Sequence, residues 1–183
     1  MNWHTYKEAN YQDWRKESGW SISQGQCWAN VSNTPFRKYK QYVHEGGTAT
    51  PFIAHWPAGI DGGGRIVGDQ AFHLVDVMPT LCELAGTAYP ETYADRELRP
   101  SAGTSMVPYF RTTAAQPDSR TLYWQHLNHA AIREGNWKLV TLNDRDVSRW
   151  ELYDVSQDRS ETRDVSGQHP GVVSELRQKW HGW

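Results

Sequence analysis

Hydrophobic and polar positions change their rhythm along this chain, and each rhythm predicts an element. Pro51-Phe52-Ile53-Ala54-His55-Trp56 is a nearly continuous apolar run closed by Pro57. That pattern predicts a strand covered on both faces, as in a parallel sheet. Further on, Val77, Leu81 and Leu84 recur at helical spacing. They predict a strand end near His73–Val75 and a helix over 77–85, with Asp76 as N-cap, Pro79 in the first turn and Gly86 as the stop. Beyond residue 120 the rhythm shortens. Thr121–His126, Ala130–Glu134, Lys138–Leu142 and Glu151–Asp154 are β-prone runs parted by turn residues such as Glu134-Gly135-Asn136. Such short connections make neighbouring strands antiparallel. From Pro170 the helical rhythm returns, with Val172, Val173, Leu176 and Trp180 on one face. The opening residues read as loop with one short helix around Tyr6–Arg15, and 87–103 as loop. The expected organisation is therefore α/β, with residues 1–107 as one part and 108–183 as a small antiparallel sheet carrying a helix.

Composition narrows the function classes. The 183 residues carry 19 basic and 21 acidic side chains, a formal charge of −2. That excludes a general electrostatic grip on nucleic acid or anionic lipid. Ten Trp, nine Tyr and four Phe supply bulk that a disordered chain lacks. No apolar run approaches the roughly 20 residues of a membrane span, and the opening residues hold no secretory h-region. Cys27 and Cys82 stand 55 positions apart, outside any CxxC spacing, which leaves their pairing open.

Candidate chemistry concentrates in one segment. Arg37, Lys38 and Lys40 precede Glu45-Gly46-Gly47. Ammonium groups beside exposed backbone N–H groups bind sulfate or phosphate, and the paired glycines would allow positive φ or close approach to a ligand. The plain alternative is a solvated basic turn. Gly62-Gly63-Gly64 lacks the Walker pattern, and Ser105 fails the nucleophile-elbow pattern and reads as a turn or cap residue. Eight His make no metal-ligand spacing; His44, His55 and His126 stand out beside Gly or at strand ends. Asn30-Val31-Ser32 matches a glycosylation sequon.

Several short motifs occur in order: Trp28-Ala29-Asn30, Asn33-Thr34-Pro35-Phe36-Arg37, Lys40, Val43-His44-Glu45-Gly46-Gly47, Ala54-His55-Trp56-Pro57, and His73-Leu74-Val75-Asp76-Val77-Met78-Pro79-Thr80. Leu84-Ala85-Gly86, Gly103-Thr104-Ser105, Ala131 to Val140 and Glu151-Leu152-Tyr153-Asp154 follow, with Asp158 and Glu161. This series resembles the C-terminal portion of type I sulfatases, the arylsulfatase A-like group of the alkaline phosphatase superfamily. The resemblance implies part of a larger α/β core followed by a four-stranded antiparallel sheet and a helix. It implies hydrolysis of sulfate monoesters by a parent that uses formylglycine and a divalent cation, usually calcium. It makes Lys40 the sulfate-contacting catalytic lysine, with Lys38 peripheral and no metal ligand in this chain; His44 and His126, singled out by their positions, are the expected substrate-binding residues. The nucleophile motif, Cys or Ser followed by x-Pro-x-Arg, is absent, so the chain alone is expected to have no turnover. The expected partner is a sulfated small molecule or glycan, and family members are often periplasmic or secreted. Two alternatives accompany this: a non-catalytic module binding a sulfated glycan or a partner, and a phosphoester hydrolase of the same superfamily. The strand at 51–56 would lie in a sheet whose other strands come from sequence outside this chain.

Overall fold

The computed structural model describes residues 25–61, 63–68, 70–111, 120–143 and 149–183. Contacts divide the chain into two units, Met1–Thr50 with Thr121–Trp183, and Pro51–Arg120. This grouping is a different quantity from a partition at 107–108, which concerned descent from a larger core. It puts residues 25–50 with the sheet.

The first unit is built on four antiparallel strands in chain order: β3 (Thr121–His126), β4 (His129–Glu134), β5 (Trp137–Thr141) and β6 (Trp150–Asp154). The register pairs Leu122 with Arg133, Ile132 with Leu139, and Leu139 with Leu152. Gly135 takes φ +55 in the β4–β5 turn, where a Cβ would be strained. Helix α5 (Pro170–Gly182) covers one face, with Pro170 in its first turn as the sequence predicts. Ala130, Ile132, Leu139, Trp150 and Leu152 meet Leu176 there, with Val172, Val173 and Trp180 at the margin. Lys179 Nζ ties α5 to β4, 2.6 Å from Glu134 and 2.8 Å from Glu175.

The opposite face is also covered, which alternation along the strands does not announce. Val43 packs on Ala131, Val140, Tyr153 and Val155. The covering segment follows helix α1 (Gly25–Asn33) and ends in the single turn α2 (Glu45–Thr48). The first of these helices was not expected. The one expected around Tyr6–Arg15 lies outside the described residues.

In the second unit, helix α3 (Val77–Leu84) matches the predicted 77–85, and Gly86 takes φ +66 after its C-cap, Ala85. The start differs from expectation. His73–Val75 is no strand end; Leu74–Asp76 is a 3-10 turn capped by His73, whose Nδ1 accepts from the Val75 N–H while its own N–H donates to Asp76 Oδ2 at 2.7 Å. Asp76 is buried and satisfies several donors at once. It accepts from the Thr104 N–H at 2.9 Å and from Arg120, while Thr80 Oγ1 donates to its carbonyl at 2.6 Å and accepts from the Met106 N–H at 2.8 Å. A Cβ on Gly103 would collide with the Val75 carbonyl, so the Gly103-Thr104-Ser105 motif needs its glycine for this close approach. Ser105 Oγ accepts from the Val107 N–H at the start of α4 (Val107–Arg111), the cap role its residue type suggests. Within 87–103, expected as loop, β1 (Thr92–Tyr93) and β2 (Arg96–Glu97) form a small hairpin. The predicted strand at 51–56 is not formed: these residues have no regular structure and all are exposed. A strand needs a neighbour for its amides, and the described residues offer none beside it.

Candidate functional site

The segment from Arg37 to Thr48 is held on the sheet by buried charge. Lys138, on β5, projects to the face opposite α5 and is fully buried. Its Nζ lies 2.8 Å from Glu45 Oε1 and 3.0 Å from Glu161 Oε1. Arg159 reaches the other Glu45 oxygen at 3.3 Å. The Glu45 N–H donates to Glu161 Oε2 at 2.7 Å, so one buried carboxylate serves both the turn and the lysine. Burial pushes the Glu45 carboxyl up, and Lys138 and Arg159 more than reverse this, leaving it below the usual carboxylate range. Glu161 accepts a left-handed φ of +56, a strain its buried hydrogen bond and ion pair hold in place.

A second cluster lies on the same face. His44 is fully buried and its Nε2 lies 3.4 Å from Glu151 Oε2. Tyr153 donates to that oxygen at 2.6 Å, and Arg37 Nη1 lies 3.3 Å from it, 2.7 Å from the Tyr153 hydroxyl and 3.1 Å from the Glu161 carbonyl. The His44 hydrogen bond is the main cause that holds the Glu151 carboxyl down to about 2, with Tyr153 and Arg37 adding to it against burial. Burial and the adjacent Glu151 push the Tyr153 phenol well above its usual range.

These contacts place the expected site residues. Arg37 does not join Lys38 and Lys40 in a free basic group, because its guanidinium is consumed by Glu151, Tyr153 and Glu161. His44, expected as a substrate contact, has no exposed surface. Lys38 lies over the Tyr42 ring at 5.0 Å. Lys40 is exposed and has no ion pair or hydrogen bond among the described residues. It sits between two left-handed residues, Lys38 (φ 69) and Gln41 (φ 86). The turn around it is closed by Tyr42 N–H to Tyr39 carbonyl at 3.1 Å and Gly46 N–H to Arg37 carbonyl at 3.0 Å. His126 is exposed at the end of β3 and pairs in register with His129. The His129 ring stacks on Tyr42 at 5.2 Å, so the β3–β4 hairpin lies beside the Lys40 turn.

The two glycines answer a different need from the one their sequence suggests. Neither takes positive φ. A Cβ on Gly46 would meet the Lys38 and Arg37 carbonyls, and one on Gly47 the Tyr42 and Tyr39 carbonyls. The close approach is by the chain's own loop.

Sequence reasoning assigned no role to Lys138, Glu161, Glu151 or Tyr153. One signal was present: a lysine inside Trp137-Lys138-Leu139-Val140 interrupts a run of buried character, and a cation there demands buried carboxylates.

Among the described residues no three His, Cys, Asp or Glu side chains converge as a divalent cation requires. These residues therefore do not fit the calcium that the resemblance implies for a parent enzyme. Cys27 and Cys82 are free thiols, and neither begins a Cys-x-Pro-x-Arg sequence.

Residues 36–181 match the family described as N-sulphoglucosamine sulphohydrolase, C-terminal. The chain belongs to the sulfatases. An uncharacterized sulfatase of Schizosaccharomyces pombe is 30% identical over 159 residues, covering 85% of this chain and 28% of that protein. An N-acetylgalactosamine-6-O-sulfatase of Bacteroides thetaiotaomicron is 28% identical over 158 residues, 78% of this chain and 29% of that one. A solved Bacteroides thetaiotaomicron structure, reported with the metabolism of multiple glycosaminoglycans, superposes with TM-score 0.59 at 26% identity over 80% of this chain and 31% of that one. This sulfatase chain thus spans less than a third of the length of these relatives.

Proposed function

We propose that this chain is the part of a sulfate-monoester hydrolase that presents Lys40 to the sulfate group. One observation carries the reading: in a sulfatase, an exposed ammonium with no counter-ion among the described residues stands on a turn held down by buried ion pairs. A cation held in this way donates to a sulfate oxygen and stabilises charge that grows on the departing ester oxygen. Its catalytic value lies in prior orientation, since a turn fixed by Glu45, Lys138 and Glu161 need not reorganise during reaction. His44 acts through Glu151 as a positioning group. His126 contacts the organic part of the substrate from the neighbouring hairpin. The sulfated glycan class is supported by the names of the relatives, one an N-acetylgalactosamine-6-O-sulfatase. The nucleophile comes from sulfatase sequence beyond this chain, whose 183 residues hold no Cys/Ser-x-Pro-x-Arg.

The test is Lys40→Ala in an intact enzyme that contains this chain, assayed on an aryl sulfate. The expected result is a loss of kcat of about 100-fold or more, as when one transition-state donor is removed. An unchanged rate would remove Lys40 from the site. Turnover by the 183-residue chain alone would contradict the reading.

A further inference from the structure

We propose that His129, the first residue of β4, is a positioning residue for Lys40: it fixes the Lys40 turn to the sheet through the Tyr42 ring. The consequence for catalysis rests on the reading of Lys40 given above; the anchoring of the turn does not.

The turn that carries Lys40 depends on its surroundings. Lys38 (φ 69) and Gln41 (φ 86) both take the left-handed region although each has a Cβ. Such residues persist only where neighbouring structure over-determines them. One backbone bond, Tyr42 N–H to the Tyr39 carbonyl at 3.1 Å, closes the tip. The Lys40 side chain adds nothing to it, having no partner among the described residues. Val43 and Glu45 are buried on the sheet, but they follow the turn. Within the turn the restraint falls on Tyr42. Its ring meets Tyr39 edge-on at 5.1 Å, lies under the Lys38 ammonium at 5.0 Å, and stacks on His129 at 5.2 Å with 23° between the planes. Tyr39 and Lys38 belong to the turn and move with it. His129 comes from the sheet, so its contact fixes the turn against a rigid frame.

His129 is itself held in place. Its backbone pairs in register with His126, and its Nδ1 lies 3.0 Å from the Leu142 carbonyl, just beyond β5. A carbonyl only accepts, so Nδ1 carries the proton, and this bond sets the rotation of the imidazole against Tyr42. One end of the hairpin then serves both parts of the substrate. His126 meets the organic part, and His129, through Tyr42, sets the cation for the sulfate. A displacement of about 1 Å between groups that must act together costs on the order of 100-fold in rate, so a contact outside the reacting atoms has a measurable effect.

Two measurements test this. In the 183-residue chain, amide hydrogen exchange followed by NMR reads the turn directly. His129→Ala should quicken exchange of the Tyr42 amide about tenfold. His129→Phe, which keeps a ring, should keep that exchange slow, and His129→Asn, which keeps a donor without the ring, should behave like His129→Ala. An unaltered Tyr42 amide in His129→Ala overturns the proposal. So does equal quickening at Ile132 and Leu139, which assigns the effect to a loosened sheet. In an intact enzyme that contains this chain, assayed on an aryl sulfate, His129→Ala should lower kcat about tenfold while changing KM by less than about twofold, and His129→Phe should recover most of the loss. In a Lys40→Ala background the same change should lower the rate no further, because its route runs through Lys40. An undiminished kcat in His129→Ala, or a further tenfold fall in the Lys40→Ala background, overturns the proposal. The two claims fail separately. If Lys40→Ala leaves the rate unchanged while His129→Ala quickens Tyr42 exchange, the catalytic reading fails and the anchoring stands. If Lys40→Ala abolishes the rate while His129→Ala changes neither exchange nor kcat, the reverse holds.

Discussion

Lys138 Nζ lies 2.8 Å from Glu45 Oε1, with both side chains closed off from solvent and 93 positions apart along the chain. This ion pair joins the Glu-Gly-Gly turn to the middle of the sheet. Glu161 completes it from a third point of the chain. Lys138→Met leaves two buried carboxylates without their shared cation, at a cost of about 3–5 kcal/mol. Urea denaturation checks this. Lys138→Met combined with Glu161→Leu should cost less than the sum of the two single changes, because they share one interaction.

Acid should loosen the same face through Glu151. Its carboxyl titrates at about 2 in the folded chain against an ordinary 4.5. The folded value is the lower one, so the stabilisation is complete above pH 4.5. It declines as pH falls from there and is gone once pH passes below 2. Glu151→Gln should flatten the fall in Tm across that window while lowering Tm at neutral pH. A Tm profile with an unaltered slope would count against the His44–Glu151 contact.

Gly47→Ala drives a Cβ into the Tyr42 carbonyl, and the backbone must shift to admit it. The expected loss is about 1–3 kcal/mol, the usual range for overpacking. Gly167→Ala, where a Cβ meets open space, is the matched control and should change stability far less. Comparing the two midpoints in urea separates local crowding from any general effect of losing a glycine.

Leu176→Ala removes the buried side chain by which α5 meets Ile132, Leu139 and Leu152. The cost should be about 2–5 kcal/mol. Trp183→Ala should be mild by comparison: its ring stacks on Tyr123 at 5.0 Å but remains mostly exposed. Thermal denaturation of the two variants side by side tests the ranking.

Periodicity and turn chemistry were enough to place β3 to β6, α3 and α5 to within a residue or two, because each carries its own pattern. Glu134-Gly135-Asn136 turns the chain locally, Val77, Leu81 and Leu84 mark one helix stripe, and Pro170 starts a helix by its own φ. The family was legible in the same way, from motifs in order. The strand at 51–56 is not formed here because an apolar run states only what a segment can do. Whether it does so depends on a neighbouring strand, which the described residues do not offer. For the Lys38–Thr48 turn the sequence named the residues but not their work. Gly46 and Gly47 suggested a ligand approach and instead admit carbonyls of residues 37–42. Arg37 suggested an anion site and instead holds Glu151. Lys138, Glu151 and Glu161 lie 93 to 124 positions from Arg37 and Glu45 along the chain, and no local rule connects them. Only the tertiary structure could pair them: which charges share a buried face depends on the sheet's register and on what covers it, and both are long-range outcomes of packing.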